Sequence, residues 1–173
     1  LGNSSNDHNP LVDFPQSLNA MIIALYEPDI PQNTGTILRL GACLGVDVHI
    51  VGPAAFPANE RAFRRAGLDY IDRVKVKNHI SFTSFEQWRK TEGHRIVLLS
   101  TKTERHHIDF SFHESDILMC GRESAGVPDE VHKAVDARVR IPMQRGLRSL
   151  NVAVSLAIVL GEALRQTNAF PND

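Results

Sequence analysis

Short runs of unbroken apolar residues alternate with longer stretches in which apolar positions recur every three or four residues. From Met21 onward the runs at 21–26, 47–51, 73–76, 95–100, 116–120 and 138–141 read as strands. Three contain continuous apolar cores: Ile22-Ile23-Ala24-Leu25, Ile96-Val97-Leu98-Leu99 and Ile117-Leu118-Met119-Cys120. Such cores are expected where helices cover both faces of a parallel sheet, so these three belong at its centre. Helices are expected between the strands, at about 33–45, 58–67, 81–91, 128–135 and 149–167. In the last, Val152, Leu156, Val159, Leu160, Ala163 and Leu164 share one apolar face. The alternation predicts an α/β fold with a parallel sheet flanked by helices.

The first 20 residues break this pattern. They are rich in Asn, Ser and Pro and have no apolar period, so they read as a flexible tail before a single domain at 21–173. The whole chain has 173 residues, enough to bury roughly 70% of the surface of the open chain without metals or disulfides. Cys43 and Cys120 lie far apart and lack the spacing of a zinc site or a disulfide framework, which fits a reducing cytoplasm and no metal. No apolar run reaches the ~18 residues of a membrane helix, so no membrane partner is expected. With 19 Lys+Arg against 20 Asp+Glu, the net charge of −1 excludes nucleic-acid binding by bulk charge but permits a local basic face.

Two familiar nucleotide sites fail on their residues. The turn after the first strand, Glu27-Pro28-Asp29-Ile30-Pro31-Gln32-Asn33-Thr34-Gly35, lacks the glycine fingerprint of dinucleotide binding. Gly121 and Gly126 have phosphate-loop spacing, but Val127-Pro128 stands where Lys-Ser/Thr is required.

Three irregular segments remain, each after a predicted strand, where ligands of open α/β sheets bind. In the first, two prolines lead to Asn33-Thr34-Gly35 and then to Arg39; taken alone, a rigid loop with an Asn helix cap and a solvated arginine explains it better than a ligand site. In the second, Gly121-Arg122-Glu123-Ser124-Ala125-Gly126-Val127-Pro128, two glycines permit close approach of a ligand or another segment, or simply build an ordinary loop. The third runs from Ile141-Pro142-Met143 through Arg145, Gly146 and Arg148 to Ser149-Leu150-Asn151. Ser149 can cap the final helix, and the apolar edge also suits a flat heterocycle such as adenine.

In order and spacing these segments resemble the three motifs of SPOUT-class RNA ribose 2′-O-methyltransferases. The similarity runs from Met21 to about Gln166. Residues 25–45 and 64–70 are most similar to the small branch that methylates the tRNA wobble nucleotide, although Val154 and Gly161 depart from that branch's usual residues. The resemblance implies a C-terminal deep trefoil knot, a homodimer, S-adenosylmethionine as methyl donor and tRNA as substrate. It implies that Leu99, Gly121, Ile141, Ser149 and Leu150 hold the cofactor, and that Arg39, Asn33, Glu123 and Asn151 form the catalytic set. Arg39 is expected to stabilise charge rather than act as a base, because guanidinium does not readily lose its proton.

For substrate RNA, Arg145 and Arg148 lie beside the cofactor loop, while Arg64 and Arg65, with Arg61, Lys75 and Lys77, offer phosphate contacts or merely a solvated face. The alternatives to a wobble-nucleotide enzyme are a ribose methyltransferase for another tRNA or rRNA site and a non-catalytic RNA-binding dimer of the same fold. The histidines, including His49, His106 and His107, are expected in surface or core roles. Cys43 is expected to be a packing residue, and Phe85 and Trp88 helix-to-core contacts.

Overall fold

A computed structural model describes residues 21–57, 61 and 71–172. Six parallel strands form one sheet: β1 (Ile22–Tyr26), β2 (Asp47–Val51), β3 (Val76–His79), β4 (Arg95–Leu99), β5 (Asp116–Cys120) and β6 (Ala137–Val139), in spatial order β3-β2-β1-β5-β4-β6. The three apolar runs occupy β1, β5 and β4, flanked by β2 and β3 on one side and β6 on the other, as their composition requires. Side chains divide by alternation. Ile23, Leu25, Val97, Leu118 and Cys120 face one core with α1 (Pro31–Leu44) and α4 (Val152–Thr167). Ile22, Ala24, Ile96, Ile117 and Met119 face the other, with Phe85 and Val131.

Phe85 belongs to α2 (Phe82–Glu92), which begins with a reciprocal Ser81–Ser84 capping box and ends at Gly93 in the left-handed region. Val131 belongs to the short α3 (Asp129–Ala134). Buried Arg89 ties these parts together through Glu86 at 2.7 Å, Asp136 at 2.8 Å and the carbonyl of His94 at 3.2 Å.

Several sequence expectations shift. The third strand lies at Val76–His79 instead of 73–76, because Ile71–Arg73 forms a 3₁₀ turn and only then does the chain pair with β2. The last helix begins three residues late, at Val152, because Asn151 and not Ser149 caps it. Cys43 is exposed, not packed. The tail, and the expected helix at 58–67 except Arg61, lie outside the described residues; so do Arg64 and Arg65.

Candidate active site

The carboxyl ends of β1, β5, β4 and β6 surround a cavity of about 570 Å³. Its wall is built from Ile30 and Asn33, residues 98–102, most of 120–127, residues 139–141 with Met143, and residues 149–152. Leu98, Leu99, Val127, Val139, Ile141 and Val159 give it apolar sides, and loop backbone supplies polar groups. This is the size and composition of a small-molecule or cofactor site.

The predicted residues Leu99, Gly121, Glu123, Ile141, Ser149, Leu150, Asn33 and Asn151 all lie on this wall. Of the close approaches read for Gly121 in the sequence, the structure shows one to main chain. A Cβ there would sit 2.6 Å from the carbonyl carbon of Gly126, so the glycine lets the 121–126 loop close on itself. That closure is held by paired backbone hydrogen bonds between Arg122 and Gly126, at 2.9 and 2.8 Å, with Gly126 at φ 69°.

Helix α1 starts at Pro31, with Ile30 in the capping position and no side-chain cap. Asn33 is therefore inside the first turn, not a cap, and its amide is available for tertiary contacts. Its Nδ2 donates to Glu123 Oε1 at 3.2 Å, and its Oδ1 accepts from Asn151 Nδ2 at 2.9 Å. Asn151 also caps α4, its Oδ1 accepting from the N–H of Ala153 at 2.8 Å and of Val154 at 3.4 Å. One continuous chain of amides thus joins the first, second and third segments.

A residue passed over in the sequence extends that chain. Asp29 and Glu123 bind reciprocally: the N–H of Asp29 donates to Glu123 Oε2 at 3.2 Å, and the N–H of Glu123 donates to Asp29 Oδ1 at 3.1 Å. The Ser124 hydroxyl donates to Asp29 Oδ2. Hydrogen bonding with Glu123 and then with Ser124 draws the Asp29 carboxyl down to about 2, while burial and then Asp29 push the Glu123 carboxyl upward. The signal available in the sequence was the placement of Asp29 between Pro28 and Pro31, which fixes the loop.

Ser100 and His132 are further wall residues not singled out beforehand; Ser100 Oγ lies 3.1 Å from His132 Nε2 and accepts from the N–H of Lys102 at 3.1 Å. Burial, then Arg138 and Lys102, hold the His132 imidazole below its ordinary range. Cys120 lies at the cavity floor, but burial pushes its thiol up to about 12, which removes it as a nucleophile. Among the described residues no cluster of three metal-ligating side chains exists.

The structure does not bring every candidate to the wall. Arg39 is exposed on α1, six residues and about 9 Å along the axis beyond Asn33, and is absent from the cavity lining. Arg145 and Arg148 are exposed in the loop around Gly146 and also stand off the wall. Lys75 and Lys77 lie at the β3 edge of the sheet, remote in strand order from the cavity, and the Lys77 ammonium sits 4.5 Å over the Trp88 ring.

Residues 20–161 match the SpoU rRNA Methylase family, and the chain belongs to that family. It is 59% identical over 148 residues to the tRNA (cytidine(34)-2′-O)-methyltransferase of Beijerinckia indica subsp. indica, covering 86% of this chain and 92% of that protein. A solved structure concerned with the 2-OH methylation of C/U34 on tRNA superposes with a TM-score of 0.78 at 36% identity, covering 86% of this chain and 97% of the other. An AdoMet-bound rRNA methyltransferase from Sinorhizobium meliloti gives a TM-score of 0.75 at 25% identity, over 84% of this chain and 56% of that one.

Proposed function

We propose that this chain transfers a methyl group from S-adenosylmethionine to the ribose 2′-hydroxyl of the wobble nucleotide, cytidine or uridine 34, of tRNA. The observation that carries the reading is the Asn151–Asn33–Glu123 chain of hydrogen bonds, which joins three distant segments at the wall of a cofactor-sized cavity. The substrate follows the names of the similar proteins.

The residues fit the cofactor. Leu99, Ile141 and Leu150 offer apolar contacts for adenine, and the backbone at Gly121 and Ser149 offers hydrogen bonds. The bound cofactor supplies an activated methyl group on sulfur. The chain must then align the ribose oxygen and manage the charge that develops on it. Arg39, exposed on α1, stabilises that oxygen or a neighbouring phosphate once RNA is bound. Arg145 and Arg148, exposed around Gly146, contact the RNA backbone, and the resemblance names Arg64 and Arg65 as further phosphate contacts.

The reading includes a homodimer, a cytoplasmic location and the C-terminal knot. Val154 and Ile158, four residues apart on α4, remain exposed, apolar positions suited to a second copy. The knot is supported by membership of the SpoU family.

The test is incubation of the purified protein with labelled S-adenosylmethionine and tRNA, followed by mapping of the methylated nucleotide. Label is expected on the ribose of nucleotide 34 and absent from tRNA carrying a 2′-deoxyribose there. Label on a base, or at another RNA site, overturns the assignment.

A further inference from the structure

The reaction releases the proton of the 2′-hydroxyl, and the site must supply an acceptor. We propose that Glu123 takes this proton and that Asp29 is the positioning residue that makes it able to do so. The inference rests on the methyl-transfer reading above. In the step, the 2′-oxygen forms its bond to the methyl carbon as the carbon–sulfur bond breaks, sulfur keeps that bond's electron pair, and the hydroxyl proton moves to a Glu123 carboxylate oxygen and then to water.

Glu123 is the carboxylate that lies on the cavity wall, and its two oxygens are held from opposite sides by Asn33 Nδ2 and the N–H of Asp29, both at 3.2 Å. Each oxygen keeps a further lone pair for a proton. Asp29 is itself locked by the N–H of Glu123 and by the Ser124 hydroxyl, so the two carboxyl groups are fixed side by side. Like charges so placed cannot both ionise freely. Asp29 holds the negative charge, drawn down to about 2, and Glu123 becomes the better base.

The neighbouring groups leave this division intact. Arg122 is paired to Glu27 at 3.1 Å, Glu130 acts on Tyr26, Asn33 and Asn151 are neutral, and the Cys120 thiol beneath stays protonated. A guanidinium offers no comparable acceptor, which leaves Arg39 with charge stabilisation alone.

Two measurements test this. The pH dependence of kcat is compared for the wild type, Asp29→Asn and Asp29→Glu. Because transfer needs ionised Glu123, activity falls as pH drops through its pKa. Asp29→Asn removes the adjacent charge and moves that acid limb to lower pH by about one unit, whereas Asp29→Glu leaves it in place. Carbon-13 NMR titration of the Glu123 carboxyl in the ligand-free protein reads the same shift without catalysis and reports whether each variant is folded. Glu123→Gln is expected to lose at least about 100-fold in kcat while retaining cofactor affinity. An acid limb that is unmoved in folded Asp29→Asn, or a Glu123→Gln variant retaining more than a tenth of kcat, overturns the inference. A wild type that methylates no tRNA overturns the underlying reading instead, and the NMR titration still tests the carboxyl pair.

Discussion

The cavity at the carboxyl ends of the central strands and the aromatic cluster under α2 both hold titratable groups away from their ordinary behaviour, by different means: hydrogen bonds between partly exposed side chains in the first, burial in the second. In the cavity, Asp29, Glu123, Asn33 and Asn151 are bonded to one another across 90 to 118 residues of sequence, and one carboxyl is raised while its neighbour is lowered. Under α2, His49 and His79 share a 3.1 Å nitrogen–nitrogen contact and lie against Phe85 and Trp88, and burial lowers both imidazoles, that of His49 to about 3. A shifted group becomes reactive only where a cavity brings a substrate to it. The histidine pair does not line the cavity described above and serves the fold.

The sharpest way to break this contrast is Gly121→Ala. The added Cβ meets main chain, which cannot swing aside like a side chain tip, so the 121–126 loop must open. Methyl transfer is expected to fall by two orders of magnitude or more, roughly the penalty of a 1 Å displacement of reacting groups, with thermal unfolding showing a folded protein. Wild-type turnover in that variant would detach the loop from function. Phe85→Ala should do the converse, lowering unfolding free energy by about 3–5 kcal/mol in urea titrations while turnover per folded molecule is kept.

Acid sharpens the comparison further. His49 is held at about 3 in the folded protein against 6.5 when free, so the unfolded chain binds the proton first. Stability contributed by the neutral ring is complete above the free value and declines as pH falls towards about 3, by about 1.4 kcal/mol per pH unit. His79 acts in the same direction. Urea unfolding at pH 7 and pH 5 should show the loss, and His49→Phe should reduce it; an equal loss in that variant would place the acid sensitivity elsewhere. The smallest expected stability effect is that of Asn151→Ala, about 1 kcal/mol for the helix cap, but transfer should fall along with it because Asn33 loses its partner. A stability loss with unchanged transfer would show that the amide bridge belongs to the fold alone.

The central strands were legible because β1, β4 and β5 carry apolar residues on both faces, a pattern that few other environments tolerate. Edge strand β3 was misplaced because Lys77 and Asn78 give it little apolar signal, and its buried member is a histidine. The cavity residues were legible only as three motifs taken together. Asn33, Glu123 and Asn151 each have an ordinary local explanation, and their contacts span distances that no periodicity reports. Asp29 was missed for the same reason: between two prolines it reads as a turn residue, and only the folded chain puts it 3.1 Å from the backbone of Glu123. Arg39 was legible from its motif, but its exposed placement on α1 needed the structure.

The double duty of Asn151 couples assembly to activity. A nascent chain that has emerged only as far as residue 150 already holds Asn33 and Glu123 but lacks both the amide that ties Asn33 to the third segment and the final helix. The reaction chamber is therefore finished last, when the C-terminal segment docks, and an unfinished polypeptide has no completed site with which to modify RNA.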